Sequence, residues 1–272
     1  MIIVKISGGL GNQLFQYAFA RSVSLRLKTD FKLDVNPFGT YYKKVRKYSL
    51  NRFNAKQNFA KDSDFFGFVW LVKHNKLFGT FYKYLRLKSK LMPFYYPERT
   101  FHFDPRVFSK NGTYFDGFWQ TEKYFKDIED VIRKDFTLSA PISEESRKIY
   151  EEIKKENSVS VHVRRYEMSA DKMYANTIDI QGTCSPEYYK KGMGYVAERE
   201  KNPHFFIFSD NYEWAVENFK SFPYKITFMK GTADRDYEDL ILMAACKHNI
   251  IANSTFSWWG AWLNPNKNKI VI

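Results

Sequence analysis

The segment Val159–Ser169, VSVHVRRYEMS, decides how the chain is read. Val159, Val161 and Val163 alternate with Ser160 and His162, the period of a β-strand. The valines therefore share one face, and Ser160, His162 and Arg164 share the other. Arg164 and Arg165 then end the strand, and an acid, Glu167, follows. A buried apolar strand avoids such charges unless an anionic group meets them. In doubly wound sheets ligands gather at the carboxyl ends of strands. Arginine grips phosphate bidentately and stays charged when partly desolvated. A diphosphate or sugar-phosphate clamp is one interpretation. A structural Arg–carboxylate pair across a domain interface is the other, and spacing alone favours neither.

Downstream of this strand (Ser158–Val163) the pattern is regular. Phe205–Ser209, Tyr224–Phe228, Asn249–Ala252 and Lys269–Ile272 read as further strands. Between them lie helical stretches at Ser185–Glu200 (with Pro186 at the first position), Asn211–Phe219, Asp236–Lys247 and Phe256–Leu263. That alternation is a doubly wound α/β unit. Upstream, Ser143 followed by Glu144 and Glu145 marks a helix start. The domain boundary is placed in this polar region, giving domains 1–150 and 151–272.

The first domain opens β-α-β, with strands at Ile2–Ile6 and Phe31–Val35. The helical stretch between them, NQLFQYAFARSVSLRLK, sets Leu14, Ala18 and Leu25 near one face. From Pro37 to about Lys110, Tyr, Phe, Lys and Arg crowd together without periodicity, and short helices joined by turns are expected. A strand running to about Trp119 and a helix opened by Thr121 close the domain. The expected fold is α/β: two Rossmann-like, doubly wound domains facing a cleft.

The 272 residues suffice for one large domain or two ordinary ones. With 44% hydrophobic and 19% aromatic residues the chain is not a disordered one. A net charge of +13 suits nucleic acid, an anionic membrane surface or a phosphorylated small substrate. No RNA-binding motif or zinc knuckle accompanies the basic segment YKYLRLKSK, so nucleic acid is not the expected partner. Cys184 and Cys246 have neither zinc spacing nor the numbers of a disulfide framework, which suggests a reducing compartment. The opening MIIVKISGGLG lacks the pattern of a signal peptide, and no apolar run reaches membrane-spanning length. The expectation is a cytoplasmic protein.

Three further segments carry chemistry. SGGLGNQ (residues 7–13) joins a strand to a helix, where backbone N–H groups can cradle phosphate. It fits neither dinucleotide nor Walker templates: Leu14 stands where the third glycine belongs, and no Gly-Lys-Ser/Thr follows. A Gly-rich turn presenting Asn12 and Gln13 remains, and a tight turn needing positive φ explains the glycines equally well. FFIFSDN (residues 205–211) ends in Asp210, either an acceptor for a base or sugar hydroxyl or the N-cap of the next helix. In IIANSTFSWWGAWLN (residues 250–264), Asn253, Ser254 and Thr255 start a helix where an anion would sit well, whereas Trp258, Trp259 and Trp262 read as packing. In YEDLILMAACKHN (residues 237–249) the first-turn acids, with Asp236 just before, suit the helix dipole.

Taken in order, GGLGNQLFQYAFA, DGFWQTEKYF (Asp116–Phe125), VSVHVRRYE, FFIFSDN and LILMAACKHNIIANSTFSWWGAWLN resemble the bacterial-type alpha-1,2-fucosyltransferases over nearly the whole chain. The resemblance implies a GT-B architecture whose C-terminal domain binds GDP-fucose. It implies inverting, metal-independent transfer of fucose to the 2-hydroxyl of a terminal β-galactoside, with no cofactor. No strand-flanked D-x-D stands out as a metal anchor. By the same resemblance Arg164, with Arg165, holds the GDP phosphates and His162 lines the donor site. Asp210 contacts guanine or ribose, and the turn Asn253–Ser254–Thr255–Phe256–Ser257 binds phosphate. Asn12 and Gln13 reach in from the N-terminal domain.

The family pattern H-x-R-R-x-D has Gly before the acid, whereas this chain has Tyr166 and Glu167. The carboxylate is kept one methylene longer and the turn glycine is lost. Glu167 is then either a general base or an acid that orients an arginine. Relatives of this type also run on further past Lys269–Ile272. The expected acceptor is an oligosaccharide or lipid-linked glycan. The lysines of the middle segment either touch an anionic membrane surface peripherally or form a solvated face. A transferase using another GDP-sugar or linkage, and a non-catalytic nucleotide-sugar binder, are the alternatives.

Overall fold

The computed structural model describes residues 1–39, 46–65, 94–165, 182–231 and 234–272. The chain forms two compact units, Met1–Ser139 and Ala140–Ile272, each built on a parallel four-stranded sheet. The sequence places the boundary at 150/151, inside a helix. That helix packs on the second sheet and its neighbouring helix, so it belongs wholly to the second unit.

In the first unit β1 (Ile2–Lys5), α1 (Leu10–Arg26), β2 (Phe31–Asp34), β3 (Tyr95–Pro97), β4 (Tyr114–Asp116) and α2 (Glu129–Asp135) follow one another. The sheet order is β2-β1-β4-β3, with every neighbouring pair parallel. Thirteen of the seventeen residues of α1 are buried, which is burial nearly all round rather than along a stripe. Leu25, expected inward, is 41% exposed. Such burial requires the helix's polar side chains to be bonded. Gln16 accepts from Ser7 N–H at 2.8 Å and donates to Gly117 O at 2.9 Å. Ser22 donates to Tyr124 O.

The turn before α1 depends on Gly8, at φ +79°, where a Cβ would lie 2.7 Å from Asn12 Nδ2. A second constrained turn follows β4. Glu98 accepts the N–H groups of Phe118 at 2.6 Å and Trp119 at 3.2 Å, and a Cβ on Gly117 would strike Glu98 Cβ. Trp119 is held at φ +56°, rare for a bulky residue. Its ring stacks on Phe19 at 4.1 Å and meets Phe115 and Tyr124 edge-on.

In the second unit the order is α3 (Glu144–Lys155), β5 (Asn157–Val163), α4 (Pro186–Ala197), β6 (Pro203–Ser209), α5 (Tyr212–Phe219), β7 (Lys225–Met229), α6 (Asp236–Ala245), β8 (His248–Ile250) and α7 (Thr255–Leu263). The caps are local. Ser143 accepts from Ser146 N–H, Ser185 from Tyr188 N–H with Pro186 in the first turn, and Asn211 from Trp214 N–H. The all-parallel sheet runs β7-β6-β5-β8. Val159, Val161 and Val163 share one core with Tyr189, Met193 and Val196 of α4 and Ala215 and Phe219 of α5. Each of the valines, Met193 and Phe219 contributes about 1.5–3 kcal/mol by leaving water. On the other side α6 packs against α3 and α7.

Glu238 of α6 is 3% exposed and accepts from Ser143 N–H, Ser143 Oγ and Ser146 Oγ at 2.6–2.9 Å, fastening α6 to the start of α3. The expected strand Lys269–Ile272 contributes one bridge, Val271 to Asn249, with Ile251 N–H donating to Ile272 O at 2.9 Å. Among the described residues no helix is long and apolar enough to cross a membrane.

Candidate functional site

From β5 the chain steps outward to β6 and β7, then returns across β5 to lay down β8. The strand order reverses between β5 and β8, and at such a switch point the two following loops diverge and leave a crevice at the carboxyl ends. Arg164 follows β5, and Asn253 to Ser257 lie beyond the end of β8 and lead into α7. The register pairs Val163 with Ser209, so Arg164 and Asp210 leave the sheet side by side.

The carboxylate of Asp210 is shared. It takes Arg164 Nη1 at 3.2 Å and the backbone N–H of Arg165 at 2.8 Å. The Arg–carboxylate pair anticipated as an alternative is therefore present, but within the second unit. Asn211, rather than Asp210, caps α5. Arg165 turns aside: its guanidinium lies 4.3 Å over the Trp214 ring and its Nη1 is 3.4 Å from Thr183 Oγ1. Of the two arginines, Arg164 is paired with Asp210 and Arg165 is held by stacking.

His162 is 6% exposed, with its ring 5.5 Å from that of Phe256. Its Nδ1 is buried without a hydrogen-bond partner. Burial, reinforced by Arg164 and opposed by Asp210, pushes His162 down to about 3. The ring is therefore neutral near pH 7 and adds no second charge beside Arg164. On the β8 side, Ser254 caps α7 by accepting from Phe256 N–H at 3.3 Å. Buried Ser257 bonds Ala252 N–H and fixes the turn. Asn253 is exposed, and Ser254, Thr255 and Phe256 are half-buried. Trp259 is fully buried, whereas Trp258 and Trp262 are half-buried around it.

Asn12 and Gln13 belong to the first unit. Gln13 is fully buried: it donates to Gly8 O and Lys47 O and accepts from Ser49 N–H, so its amide braces the turn. Asn12 accepts from Gln120 Nε2 at 3.0 Å. Tyr166 and Glu167 lie outside the described residues.

The carboxyl ends hold one acid that the sequence reading assigned to the helix dipole. Asp239 of α6 points at Gly231, where a Cβ would lie 3.2 Å from Asp239 Oδ2 and 4.0 Å from Ser209 O. The available signal was its helical spacing from buried Leu242 and Met243, which puts an acid on the inward face. Burial, with Asp236 and Glu238 nearby and Arg235 opposing, pushes Asp239 up to about 7, from an ordinary value near 3.9. A group that binds its proton more tightly folded than unfolded stabilises the fold fully below the unfolded value. That contribution is lost as pH rises through the folded value. Stability is thus expected to decline from about pH 4 to about pH 7, and chemical denaturation of Asp239→Asn should show a flatter profile over that window.

The site can hold a diphosphate. Arg164 offers a guanidinium fork, and the start of α7 offers backbone N–H groups and the positive end of the helix dipole. The model of glycosyl transferase family 11 matches residues 1–272. An alpha-1,2-colitosyltransferase of Escherichia coli is 32% identical, over 97% of this chain and 87% of its own length. Human galactoside alpha-(1,2)-fucosyltransferase 1 is 26% identical over 54% of this chain and 42% of its own length. In fold, the chain is similar to POFUT1 in complex with GDP-fucose (TM-score 0.54, 13% identity, 100% of this chain and 97% of the other). It is also similar to NodZ alpha-1,6-fucosyltransferase soaked with GDP-fucose (TM-score 0.52, 14% identity, 97% and 92%). The ordered motifs, the parallel α/β units and a family match from first residue to last agree, and the chain belongs to glycosyl transferase family 11.

Proposed function

We propose that the chain transfers fucose from GDP-fucose to the 2-hydroxyl of a terminal β-galactoside on an oligosaccharide or lipid-linked glycan, with inversion and without a metal ion. The observation that carries this is the union, at one switch point, of Arg164, neutral His162 and the start of α7. Relatives named for alpha-1,2 transfer support the linkage, and the GDP-fucose named with similar folds supports the donor.

In this proposal the second unit carries the donor. The acceptor hydroxyl attacks the anomeric carbon on the face opposite the diphosphate, and the bond to the β-phosphate oxygen breaks. Charge growing on that oxygen is met by Arg164 and the amides at the start of α7, and preorganised donors of this kind usually supply the greatest share of an enzyme's rate enhancement. Asp210 aims Arg164, and His162 provides a neutral wall that does not compete for the phosphates. Asp210, already shared by Arg164 and the Arg165 N–H, is proposed to contact guanine or ribose, and Asp239 offers a second carboxyl for the guanine N–H groups. Glu167 is proposed to take the acceptor proton or, if it orients an arginine instead, to leave that proton to solvent water.

The test is incubation with labelled GDP-fucose and a panel of β-galactosides in EDTA. EDTA-resistant GDP release with a product substituted at position two, read by NMR, is expected. Failure of the folded protein to bind GDP-fucose overturns the proposal. A second donor reading is favoured by the 32% identical relative, whose name specifies colitose, a sugar lacking the 3-hydroxyl of fucose. The GDP-activated deoxy sugar run in parallel separates the two by kcat/KM.

A further inference from the structure

We propose that Glu152, Glu156 and His204 form a binding site for a divalent metal ion of the zinc class, at the opposite end of the second sheet from the transfer site. Glu152 lies on α3 and Glu156 caps its end. Their i,i+4 spacing puts both carboxylates on one face. His204 is near the start of β6, beneath that face. One ligand atom from each of the three lies within 4.8 Å of the others, and His204 Nδ1 is 3.8 Å from Glu152 Oε1.

The histidine points to a ligand independently of the acids. Its side chain is 0% exposed, and its Nδ1 has no hydrogen-bond partner. Its Nε2 sits 2.9 Å from Thr227 Oγ1. With the hydrogen on Nε2 donated to Thr227, the Nδ1 lone pair faces carboxylate oxygens with no proton between them. Two electron-rich groups held this way call for a cation. An outer N–H bonded to a neighbouring oxygen is also how metal-bound histidines are oriented.

One cation already serves the acids. Lys225, register partner of His204, sets its Nζ 2.9 Å from Glu156 Oε1 and 3.9 Å from Glu152 Oε1. The Lys225 side chain is 57% exposed and can swing into water. A metal ion would then bind all three groups, where the ammonium leaves Nδ1 unsatisfied. One imidazole nitrogen and two carboxylate oxygens suit zinc or cobalt better than magnesium or calcium, which favour all-oxygen shells. Bonds of about 2.0–2.2 Å require the ligand atoms to close by about 1 Å. The part-exposed glutamates have room to do so. The six steps along β6 from His204 to Asp210 span about 20 Å. The ion would therefore fasten α3 to β6 rather than take part in transfer.

The experiment uses the full chain stripped with EDTA. Zinc chloride is titrated by calorimetry and in thermal melts, with magnesium as control, and cobalt is followed by its visible spectrum. We expect one zinc per chain, a melting temperature that rises with zinc but not magnesium, and at least about a tenfold loss of affinity in Glu152→Gln and Glu156→Gln. Lys225→Ala should bind zinc more tightly, because the competing ammonium is gone. That outcome has no counterpart if the cluster is only an ion pair. Zinc binding weaker than about 100 μM, or equal affinity in both glutamine variants and the parent, would overturn the proposal. Transfer rates well below the melting range should match in EDTA and in zinc, so failure here leaves the transferase reading standing.

Discussion

Arg164→Ala should lower kcat/KM for sugar transfer by about 10²- to 10³-fold, the range for removing one preorganised donor from a developing oxyanion, while moving the thermal transition only modestly. The asymmetry follows from the exposure of the pair. Arg164 and Asp210 meet at 3.2 Å with side chains 21% and 18% exposed, a partly buried pair that still reaches water at the crevice, so its loss is expected to cost about 1 kcal/mol or a little more. Asp210 also keeps the N–H of Arg165 after the change. Arg164→Lys should be intermediate, keeping charge but losing the fork that fits two phosphate oxygens. Steady-state kinetics beside a melting curve decide the matter. If Arg164→Ala melts the second unit and spares kcat/KM in the molecules still folded, the arginine is a structural partner of Asp210 and the clamp is elsewhere.

The second large effect belongs to the first unit. Trp119→Ala should destabilise it by about 3–5 kcal/mol, the usual cost of truncating a buried aromatic. Trp119 is 1% exposed, stacked at 4.1 Å on Phe19 and walled by Phe115 and Tyr124. The vacated space cannot collapse readily, because the backbone beneath is pinned to Glu98 and Gly117 leaves no slack. Trp119→Phe should cost much less, since it keeps the stack and removes an indole N–H that has no hydrogen-bond partner. Urea denaturation of both variants checks this, and equal midpoints would refute the packing account.

The second unit was readable because its signals are local. Alternation in VSVHV, apolar runs in β6 and β7, and caps such as Ser143 and Ser185 are each decided within a few residues. β3 was not read. It is three residues, Tyr95–Pro97, paired only with distant β4 and set in an aromatic, basic stretch where periodicity is mute. Of the stretch from Pro37 to about Lys110, where short helices joined by turns were expected, residues 40–45 and 66–93 lie outside the described residues.

Within the site, chain order gave the arginines and Asp210 but not their division of labour. That Arg165 stacks on Trp214 while Arg164 pairs with Asp210 depends on side-chain directions that no spacing encodes. Gln13 was legible as a residue of the Gly-rich turn, but its full burial arises from Lys47 and Ser49, residues far along the chain. Asp239 was legible as an acid of the first turn, where it stands, but its approach to Gly231 was not, because three acids share that turn.

Asp210 and Asn211 are neighbours with separate employers. Asp210 answers to the arginines of β5, and Asn211 answers to the helix it caps. Selection on donor recognition and selection on folding therefore act on different codons. On the proposed function, substitutions at Asp210 would change how Arg164 is held without removing the cap of α5, and a loss at Asn211 can be repaired by another capping residue. A library randomising the two positions together would separate the two duties, with transfer rate following position 210 and melting temperature following position 211.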